Sequence, residues 1–202
     1  MYTLLYGLAT YFQNLNVIYS NIPGILVFCT SLFIDKPVAP LSIVNIVASL
    51  VVNVIVDMNV ATTQMTLTSH LLVVPYLALF FFIQSALFYL FHRILHLKWF
   101  FKHIHSLHHQ HITDGWWTAF YVHPIELLMV LFTFQAPKLV SLFQPIPITL
   151  LTFWNATSSL HFMFSHGKKE IINLRNHWLH HTYYNCNYSS KWIDSFCGTY
   201  LE

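Results

Sequence analysis

Patterned histidines are the residues of this sequence that could do chemistry. Ten of its 14 histidines fall into four groups, which are His92-Arg-Ile-Leu-His96, His105-Ser-Leu-His108-His109, His161-Phe-Met-Phe-Ser-His166 and His177-Trp-Leu-His180-His181. Residues at i, i+3 and i+4 lie on one face of a helix, so each tight group can offer its imidazoles to the same metal. At this histidine content, two copies of HxxHH and one HxxxH arise by chance in about one chain in a thousand or fewer.

The ligand type favours iron. Imidazole without thiolate or carboxylate ligands suits iron, zinc or copper, and the eight to ten histidines of these groups are too many for one ion, so two metals are predicted. A zinc hydrolase would need only three ligands and a base. Two irons in an all-nitrogen ligand field can bind and cleave dioxygen, and the oxidant can remove hydrogen from an unactivated C–H bond. Lipids are the natural substrates of such a centre at a membrane surface.

The composition is that of a membrane protein. Of 202 residues, 56% are hydrophobic and 8% are charged, whereas about a quarter of an ordinary soluble domain is charged. Between Lys36 and Arg93 the only formally charged residue is Asp57, and a charge in hydrocarbon is costly. The net charge of +2, without basic runs interleaved with aromatics, argues against nucleic-acid binding.

Apolar stretches predict an all-α integral membrane protein with about four transmembrane helices, each of which takes about 20 mostly apolar residues. The stretches that qualify or nearly do are residues 22–34, 41–56, 71–91, 125–143 and 146–164. Pro145 and Pro147 separate the last two, which predicts a helical hairpin or a re-entrant pair.

The distribution of positive charge predicts the orientation. Most lysines and arginines flank the histidine groups, and these are Arg93, Lys98, Lys102, Lys168, Lys169, Arg175 and Lys191. Because Lys- and Arg-rich flanks stay cytoplasmic, the helical histidine-rich di-metal site is expected on the cytosolic side. Lys36 and Lys138 are exceptions, and Lys138 would have to extend to the interface or mark a hairpin tip.

The ordered histidine boxes resemble the sterol desaturase/fatty acid hydroxylase superfamily of membrane di-iron enzymes. The resemblance covers about residues 80–199 and extends to His92-Arg93, Lys102-His103-Ile104-His105, Tyr121-Val122-His123-Pro124-Ile125-Glu126, His166-Gly167, Asn187-Tyr188, Trp192, Asp194 and Gly198-Thr199. It implies an N-terminal membrane-spanning region at 1–79 and a fatty acid hydroxylase-type catalytic region at 80–202, within a single domain.

The resemblance implies a ligand set for two iron ions. The implied ligands are His92, His96, His105, His108, His109, His177, His180 and His181, with His166 and His161 as additions. Residues at i and i+5 of a regular helix point about 140° apart, so the last two can both bind only if the helix ends near Gly167. A core or interfacial position is the alternative for His161.

Three further residues are candidates for orienting the ligating imidazoles through their free ring N–H groups, and these are His123, Asn187 and Asp194. For His123 this role is favoured over that of a ligand. The alternatives are structural: Pro124 at a helix start with Glu126 in its first turn, and capping or turn duties for the other two residues.

The resemblance implies hydroxylation or desaturation of a sterol, a sphingoid base or a fatty acyl chain with O2. Electrons would come from NAD(P)H through cytochrome b5 or a similar carrier protein at the endoplasmic reticulum. The His-Pro-x-Glu element at 123–126 leans towards the sterol and sphingoid-base members. Substrate would enter from the bilayer.

The chain departs from the family pattern at three places. Ser85 stands where many members carry an aspartate, the closing motif reads Trp192-Ile193-Asp194 rather than Trp-Asp, and the stretch between His166 and His177 is short. An inactive metal-binding relative is therefore one alternative. Another is a histidine-rich metal transporter, although that predicts ionisable groups deep within the spans, whereas these clusters follow the apolar runs.

Overall fold

The fold is known from a computed structural model, which describes residues 40–60, 62–63, 67–111, 116–166 and 176–202, together with Asn21, Ile22 and Ile25. Its α-helices over these ranges are α1 (Pro40–Asp57), α2 (Leu67–Leu95), α3 (Lys98–His103), α4 (Pro124–Gln135), α5 (Ile148–Phe164), α6 (Asn176–Tyr183) and α7 (Lys191–Phe196). Short 3-10 helices lie at His105–Gln110, Trp116–Phe120 and Ala136–Leu142. The two-residue strands β1 (Thr62–Thr63) and β2 (Ile146–Pro147) pair in parallel. The prediction of an all-α membrane protein is confirmed.

Three helices in the described part of the chain are long and apolar enough to cross a membrane, and these are Pro40–Asp57, Leu71–Leu95 and Pro124–Leu142. They correspond to the predicted stretches 41–56, 71–91 and 125–143. Large apolar side chains such as Leu71 and Leu128 are exposed on them, which suits a surface that faces lipid. The predicted stretch 22–34 and Lys36 lie outside the described residues except for Ile22 and Ile25, so the total of about four spans stays a prediction.

The last two apolar stretches form a helical hairpin. The span Pro124–Leu142 runs away from the histidines, the chain turns through β2, and α5 brings it back over 17 residues. The indole Nε1 of Trp154 donates a hydrogen bond to the carbonyl of Phe134 at 3.2 Å. Because α5 returns to the level at which α4 began, its C-terminal end carries His166 to the same end of the molecule as Glu126.

Aromatic packing holds α2 against α5. The rings of Phe80 and Phe81 meet Trp154 edge to face, with centroids 5.4 and 5.0 Å away. Phe80 and Trp154 are fully buried and belong to the main apolar core with Leu150 and Leu151. Such contacts add to the free energy of apolar burial, and they fix the long α2 helix whose last turns carry the first histidine box.

A buried amide fixes α1 to the segment before α4. Asn45 Nδ2 donates to the backbone carbonyls of Phe120 at 2.9 Å and Val122 at 3.0 Å. These carbonyls would otherwise lie unpaired in an apolar setting, which is costly. The bonds therefore place the start of α4, and with it Glu126, at a defined depth beside the histidines.

A buried ion pair lies at the far end of the same helices. Lys138 does not extend to the surface, because its Nζ donates to the Asp57 carboxylate and to Asn53 Oδ1, and both charged side chains are at most 2% exposed. Asp57 also accepts hydrogen bonds from Asn155 at 2.6 Å and from Asn21 at 3.0 Å. Pairing with hydrogen-bonded partners is what makes charges tolerable at such a position.

Candidate metal centre

Four elements bring the patterned histidines together. The last turn of α2 and the residue that follows it supply His92 and His96, and the 3-10 helix His105–Gln110 supplies the second box. His166 follows α5 directly, and α6 carries the third box. Residues far apart in the sequence thus meet at one end of the helices.

The histidines form two groups, each of which could hold one metal ion. The first group has five members, His92, His96, His105, His109 and His180. The second group has four members, His108, His166, His177 and His181. Within each group the candidate ligand nitrogens all lie within 4.8 Å of one another. The groups adjoin, since the rings of His109 and His181 have centroids 4.5 Å apart.

Each HxxHH box is divided between the two groups, and this corrects the prediction that a box serves one metal. His105 and His109 belong to the first group, whereas His108 belongs to the second. In the third box, His180 belongs to the first group, whereas His177 and His181 belong to the second. Adjacent residues point about 100° apart on an α-helix and about 120° apart on a 3-10 helix, so the paired histidines of HxxHH diverge into the two neighbouring groups.

The rings are buried and held neutral. His96 is partly exposed and the other eight members of the two groups are buried. Burial lowers the pKa of His96 to about 3, with smaller contributions from the nearby His92 and Arg93. Burial also lowers the pKa values of His108, His177 and His180 well below the usual range. Neutral imidazole is the form that binds a metal.

Hydrogen bonds at Nδ1 orient three rings of the first group. His92 Nδ1 lies 2.7 Å from the carbonyl oxygen of Tyr188, and His180 Nδ1 lies 2.7 Å from that of Cys186. His105 Nδ1 lies 2.8 Å from Glu126 Oε1. A carbonyl oxygen can only accept a hydrogen bond, so His92 and His180 carry their protons on Nδ1 and present lone pairs at Nε2.

The lone pair of His92 faces Nε2 of His105 at 3.1 Å, and that of His180 faces Nε2 of His96 at 3.0 Å. Two nitrogens that each bind one metal at about 2.1 Å lie about 3 Å apart when their bonds to it are roughly perpendicular. A proton is disfavoured there because burial, together with the neighbouring histidines, depresses the pKa of His105. The residues therefore fit a metal ion.

The second group shows the same arrangement. His166 Nδ1 lies 3.2 Å from the carbonyl oxygen of Phe162, and its Nε2 lies 3.1 Å from Nε2 of His108. The Nε2 atoms of His177 and His181 are also 3.1 Å apart. His166 thus joins the predicted set, as its position just beyond the end of α5 allows.

His161 lies outside both groups of the described histidines. Its ring centroid is 6.5 Å from that of Phe81, and the residue is exposed in the described part of the chain. It lines a cavity whose volume, counted for the centre of a water-sized sphere, is about 270 Å³, and which reaches His177.

Glu126, rather than His123, is the side chain that contacts a predicted ligand. His123 caps α4, where its Nδ1 accepts a hydrogen bond from the backbone N–H of Ile125 at 3.2 Å. The Glu126 carboxylate contacts His105 instead. Its position after Pro124 had predicted only a helix-start role for this acid. The signal that could have identified it is its place in the first turn, three residues after a capping histidine, with its side chain directed inwards.

Asp194 and Asn187 act on the loop that supplies backbone acceptors, and not on a histidine ring. Asp194 accepts hydrogen bonds from the backbone N–H groups of Tyr188 and Ser189, both at 2.8 Å. Asn187, which has a positive φ of 53°, exchanges two hydrogen bonds with the backbone of Leu201. Asp194 thereby holds the Tyr188 carbonyl that fixes His92.

A small cavity separates the histidines from the membrane helices. Its volume, counted for the centre of a water-sized sphere, is about 20 Å³, which is room for about one water-sized molecule. Members of both groups line it together with Glu126, and its apolar wall includes Phe88 and Phe162. A small molecule in this cavity would touch the side of the centre that faces the membrane helices.

Sequence comparison is decisive for the family. The sequence profile of the fatty acid hydroxylase family matches residues 77–199, which is more than half of the chain. The chain belongs to the fatty acid hydroxylase family. The matched range contains both histidine groups, Glu126 and the loop fixed by Asp194. The predicted membership of the sterol desaturase/fatty acid hydroxylase superfamily is confirmed.

Curated relatives of this fatty acid hydroxylase family member are named for very-long-chain aldehydes or for sterols. A very-long-chain aldehyde decarbonylase of Oryza sativa subsp. indica is 37% identical over 103 residues, covering 48% of this chain and 38% of the relative. Methylsterol monooxygenase 2-2 of Arabidopsis thaliana is 35% identical over 92 residues, covering 43% and 35%. A Delta(7)-sterol 5(6)-desaturase of Gibberella zeae is 25% identical over 120 residues, covering 55% and 37%. The chain thus matches less than two fifths of the length of each relative. No solved structure matches it.

Two of the three departures from the fatty acid hydroxylase pattern fall on described residues. Ser85 belongs to neither histidine group, and its backbone carbonyl accepts a hydrogen bond from Ser189 Oγ at 2.8 Å. Trp192 stacks on Phe82 with centroids 5.3 Å apart. The shortened stretch 167–175, with Lys168, Lys169 and Arg175, lies outside the described residues.

Proposed function

We propose that this chain is a membrane di-iron oxidoreductase that hydroxylates or desaturates a lipid with O2 and electrons from an NAD(P)H-linked carrier. The observation that carries the proposal is the convergence of nine histidines in two groups, within each of which the candidate ligand nitrogens all lie within 4.8 Å of one another. The family, and relatives named for very-long-chain aldehydes and for sterols, support the kind of reaction and of substrate.

The nine histidines of the two groups would hold the metals, one ion in each group. When bound, iron would supply the activation of dioxygen that the removal of hydrogen from a C–H bond requires. Imidazole nitrogens with few charged ligands suit iron, zinc or copper, and oxidation of lipid in this family favours iron among them. His161, the tenth predicted ligand, belongs to neither group of described histidines and is not assigned to a metal.

The hydrogen bonds at Nδ1 would orient the ligands. The carbonyls of Tyr188 and Cys186 keep the rings of His92 and His180 turned so that Nε2 points inwards. Glu126 does the same for His105, and its negative charge would offset part of the charge of a bound cation. Such partners raise the basicity of the ligand and hold its geometry before the metal arrives.

Burial would protect the reaction from water. The small cavity between the histidines and the membrane helices has room for about one water-sized molecule. Aromatic side chains, including Phe88 and Phe162, form its apolar wall. A lipid chain would approach from this side, because the helices that line the cavity carry exposed apolar residues suited to the bilayer.

We place the fatty acid hydroxylase-type catalytic region at 80–202, which includes spans of its own, an N-terminal membrane-spanning region at 1–79 and the protein in the endoplasmic reticulum, with its histidines facing the cytosol. Exposed basic residues near the centre in the described part of the chain, namely Arg93, Lys98, Lys102 and Lys191, support this orientation. An electron-donor protein such as cytochrome b5 would then reach the centre from the cytosolic side.

Turnover by the reconstituted chain tests the proposal. The full chain is placed in liposomes with candidate sterols, sphingoid bases or fatty acyl lipids, NADH, cytochrome b5 and its reductase, and isotopically labelled O2. We expect a labelled alcohol or an alkene, and a fall of at least about a hundredfold in the double variant His108→Ala/His180→Ala, which removes one ligand from each group.

A matched control removes an exposed histidine. His103 lies on α3, where its Nδ1 lies 2.8 Å from the carbonyl of Trp99, and it belongs to neither group. The variant His103→Ala should retain turnover. Full turnover in the double variant would contradict the assignment of the centre.

An inactive metal-binding relative is the second candidate, which the Ser85 departure favours. It predicts that iron-loaded protein consumes no O2 with any of these lipids, although the histidines still bind metal. A metal transporter would instead move iron across the liposome membrane without lipid or reductant. The same preparation therefore separates the three functions.

A further inference from the structure

A groove between α1, α4 and α5 has no role in the function proposed so far. Its volume, counted for the centre of a water-sized sphere, is about 90 Å³, against about 20 Å³ for the small cavity beside the histidines. Apolar residues including Ile46, Leu50, Leu131 and Trp154 line most of it. A groove of this size and polarity within membrane helices suits the apolar body of a lipid.

One end of the groove is polar. The side chains of Asn53, Gln135 and Asn155 line that end. Gln135 Nε2 donates to Asn53 Oδ1 at 3.1 Å, whereas Gln135 Oε1 is buried and has no hydrogen-bond donor among the described residues. A buried acceptor without a partner costs free energy, so this oxygen would favour a ligand that brings a donor.

The charges behind the polar end are already balanced. Lys138 is paired with Asp57, and its Nζ also donates to Asn53. No net charge is therefore left to attract a carboxylate, and the vacant position at Gln135 is an acceptor, which a carboxylate cannot serve. A neutral hydroxyl group fits where an ionised fatty acid does not.

The groove adjoins the small cavity of the metal centre. Val130 and Phe162 line both spaces. Along α4, Gln135 follows Glu126 by nine residues, which corresponds to about 13 Å of helix. A molecule bound at Gln135 could therefore extend between these two side chains and present a carbon remote from its hydroxyl to the metals.

We propose that the groove binds a neutral lipid alcohol, whose hydroxyl donates to Gln135 Oε1 and whose apolar body extends between Val130 and Phe162 towards the metal centre. This assignment of the substrate class rests on the proposed function. With the hydroxyl bound at Gln135, the carbon that is oxidised lies far from the hydroxyl group.

Equilibrium binding of tritiated probes to the purified, detergent-solubilised full chain tests the proposal. The probes are two alcohols, 1-hexadecanol and cholesterol, with hexadecane, cholestane and hexadecanoate as matched competitors. We expect at least one alcohol to bind about tenfold more tightly than its hydrocarbon, since one buried hydrogen bond is worth about that factor. The preferred alcohol also distinguishes a chain lipid from a sterol.

Two variants locate the site. Gln135→Met should abolish the preference for the alcohol over the hydrocarbon, whereas Gln144→Met, on an exposed glutamine, should retain it. Ser159→Phe places a ring in the groove, which Ser159 lines, and should weaken binding of alcohol and hydrocarbon alike by about tenfold or more. This second variant keeps the test valid if Gln135→Met does not fold.

Equal binding of alcohols and hydrocarbons by the wild-type chain would overturn the proposal, as would an alcohol preference that survives in Gln135→Met. The result is independent of turnover. Alcohol binding without oxidation of any lipid would leave the groove assignment intact and contradict the proposed function. Oxidation of lipids without a preference for alcohols would support the proposed function and contradict the groove assignment.

Discussion

Two buried polar clusters lie at opposite ends of the span Pro124–Leu142, and they are built in different ways. The far cluster around Asp57 and Lys138 pairs a negative with a positive charge and surrounds both with amides. The histidine centre gathers nine histidine rings in two groups, in each of which the candidate ligand nitrogens lie within 4.8 Å of one another. The charges of the far cluster balance each other without a ligand, whereas the histidine centre has the donor set of a metal site, and this difference separates a structural ion pair from a candidate functional site.

Acidification has the largest expected effect on protein stability, because it acts on the histidine centre and not on the far cluster. The pKa values of its rings are lowered in the folded chain, so the unfolded chain binds more protons below pH 6.5. Stability of the metal-free protein is therefore present above pH 6.5 and is lost as the pH falls towards the folded values. Each such ring contributes about 1.4 kcal/mol per pH unit, and several together approach the whole stability of a typical domain.

Thermal unfolding of metal-free and iron-loaded protein between pH 7.5 and 5.5 measures this effect. The iron-loaded protein should be more stable throughout but lose a similar amount over the range, because neither metal-bound rings nor buried metal-free rings take up protons in the folded state. A metal-free protein equally stable at both pH values would contradict the neutral, buried state of the rings.

Breaking the ion pair of the far cluster is the second largest effect. Asp57→Ala leaves Lys138 buried without its counter-ion, and we expect a loss of about 3–5 kcal/mol in the free energy of unfolding. The double variant Asp57→Leu/Lys138→Met removes both charges and should recover most of that loss. Denaturant titration of the purified protein measures both changes.

Iron content distinguishes the two clusters in the same variants. The folded fraction of Asp57→Ala should bind as much iron as the wild type, because the far cluster contributes no ligand. Loss of iron in proportion to folded protein would mean that the clusters are coupled and would weaken the contrast between them.

Removal of the Glu126 carboxylate is the smallest of these changes. Glu126→Gln keeps the size of the side chain but removes the charge that orients His105, and it should lower the iron affinity about 10- to 100-fold. Competition with a chelator measures the affinity, and Glu202→Gln, on an exposed acid, is the matched control. Unchanged affinity in Glu126→Gln would leave the acid with the helix-start role that the sequence analysis gave it.

The predicted features are those that local spacing determines. Apolar stretches predicted the three spans because length and hydropathy are properties of contiguous segments. The HxxxH box predicted its own grouping, since His92 and His96 do belong to one group. The division of each HxxHH box between two groups could not be predicted from local spacing. It depends on which histidines of the other boxes lie nearby in the folded chain.

Contacts between distant residues account for what the sequence did not predict. Asp57 and Lys138 are 81 positions apart. Lys138 is an exception to the distribution of positive charge because it pairs with Asp57 in a buried structural site. The carbonyls that orient His92 and His180 belong to Tyr188 and Cys186, and a backbone acceptor leaves no mark in the identity of its residue.

Iron bound per chain tests the central claim most directly. We expect close to two irons in the purified wild-type protein by elemental analysis, and about one in His105→Ala and in His177→Ala, which each remove a ligand from a different group. An iron content of one or less in fully loaded wild-type protein, or two irons retained in both variants, would contradict a centre made of two histidine groups.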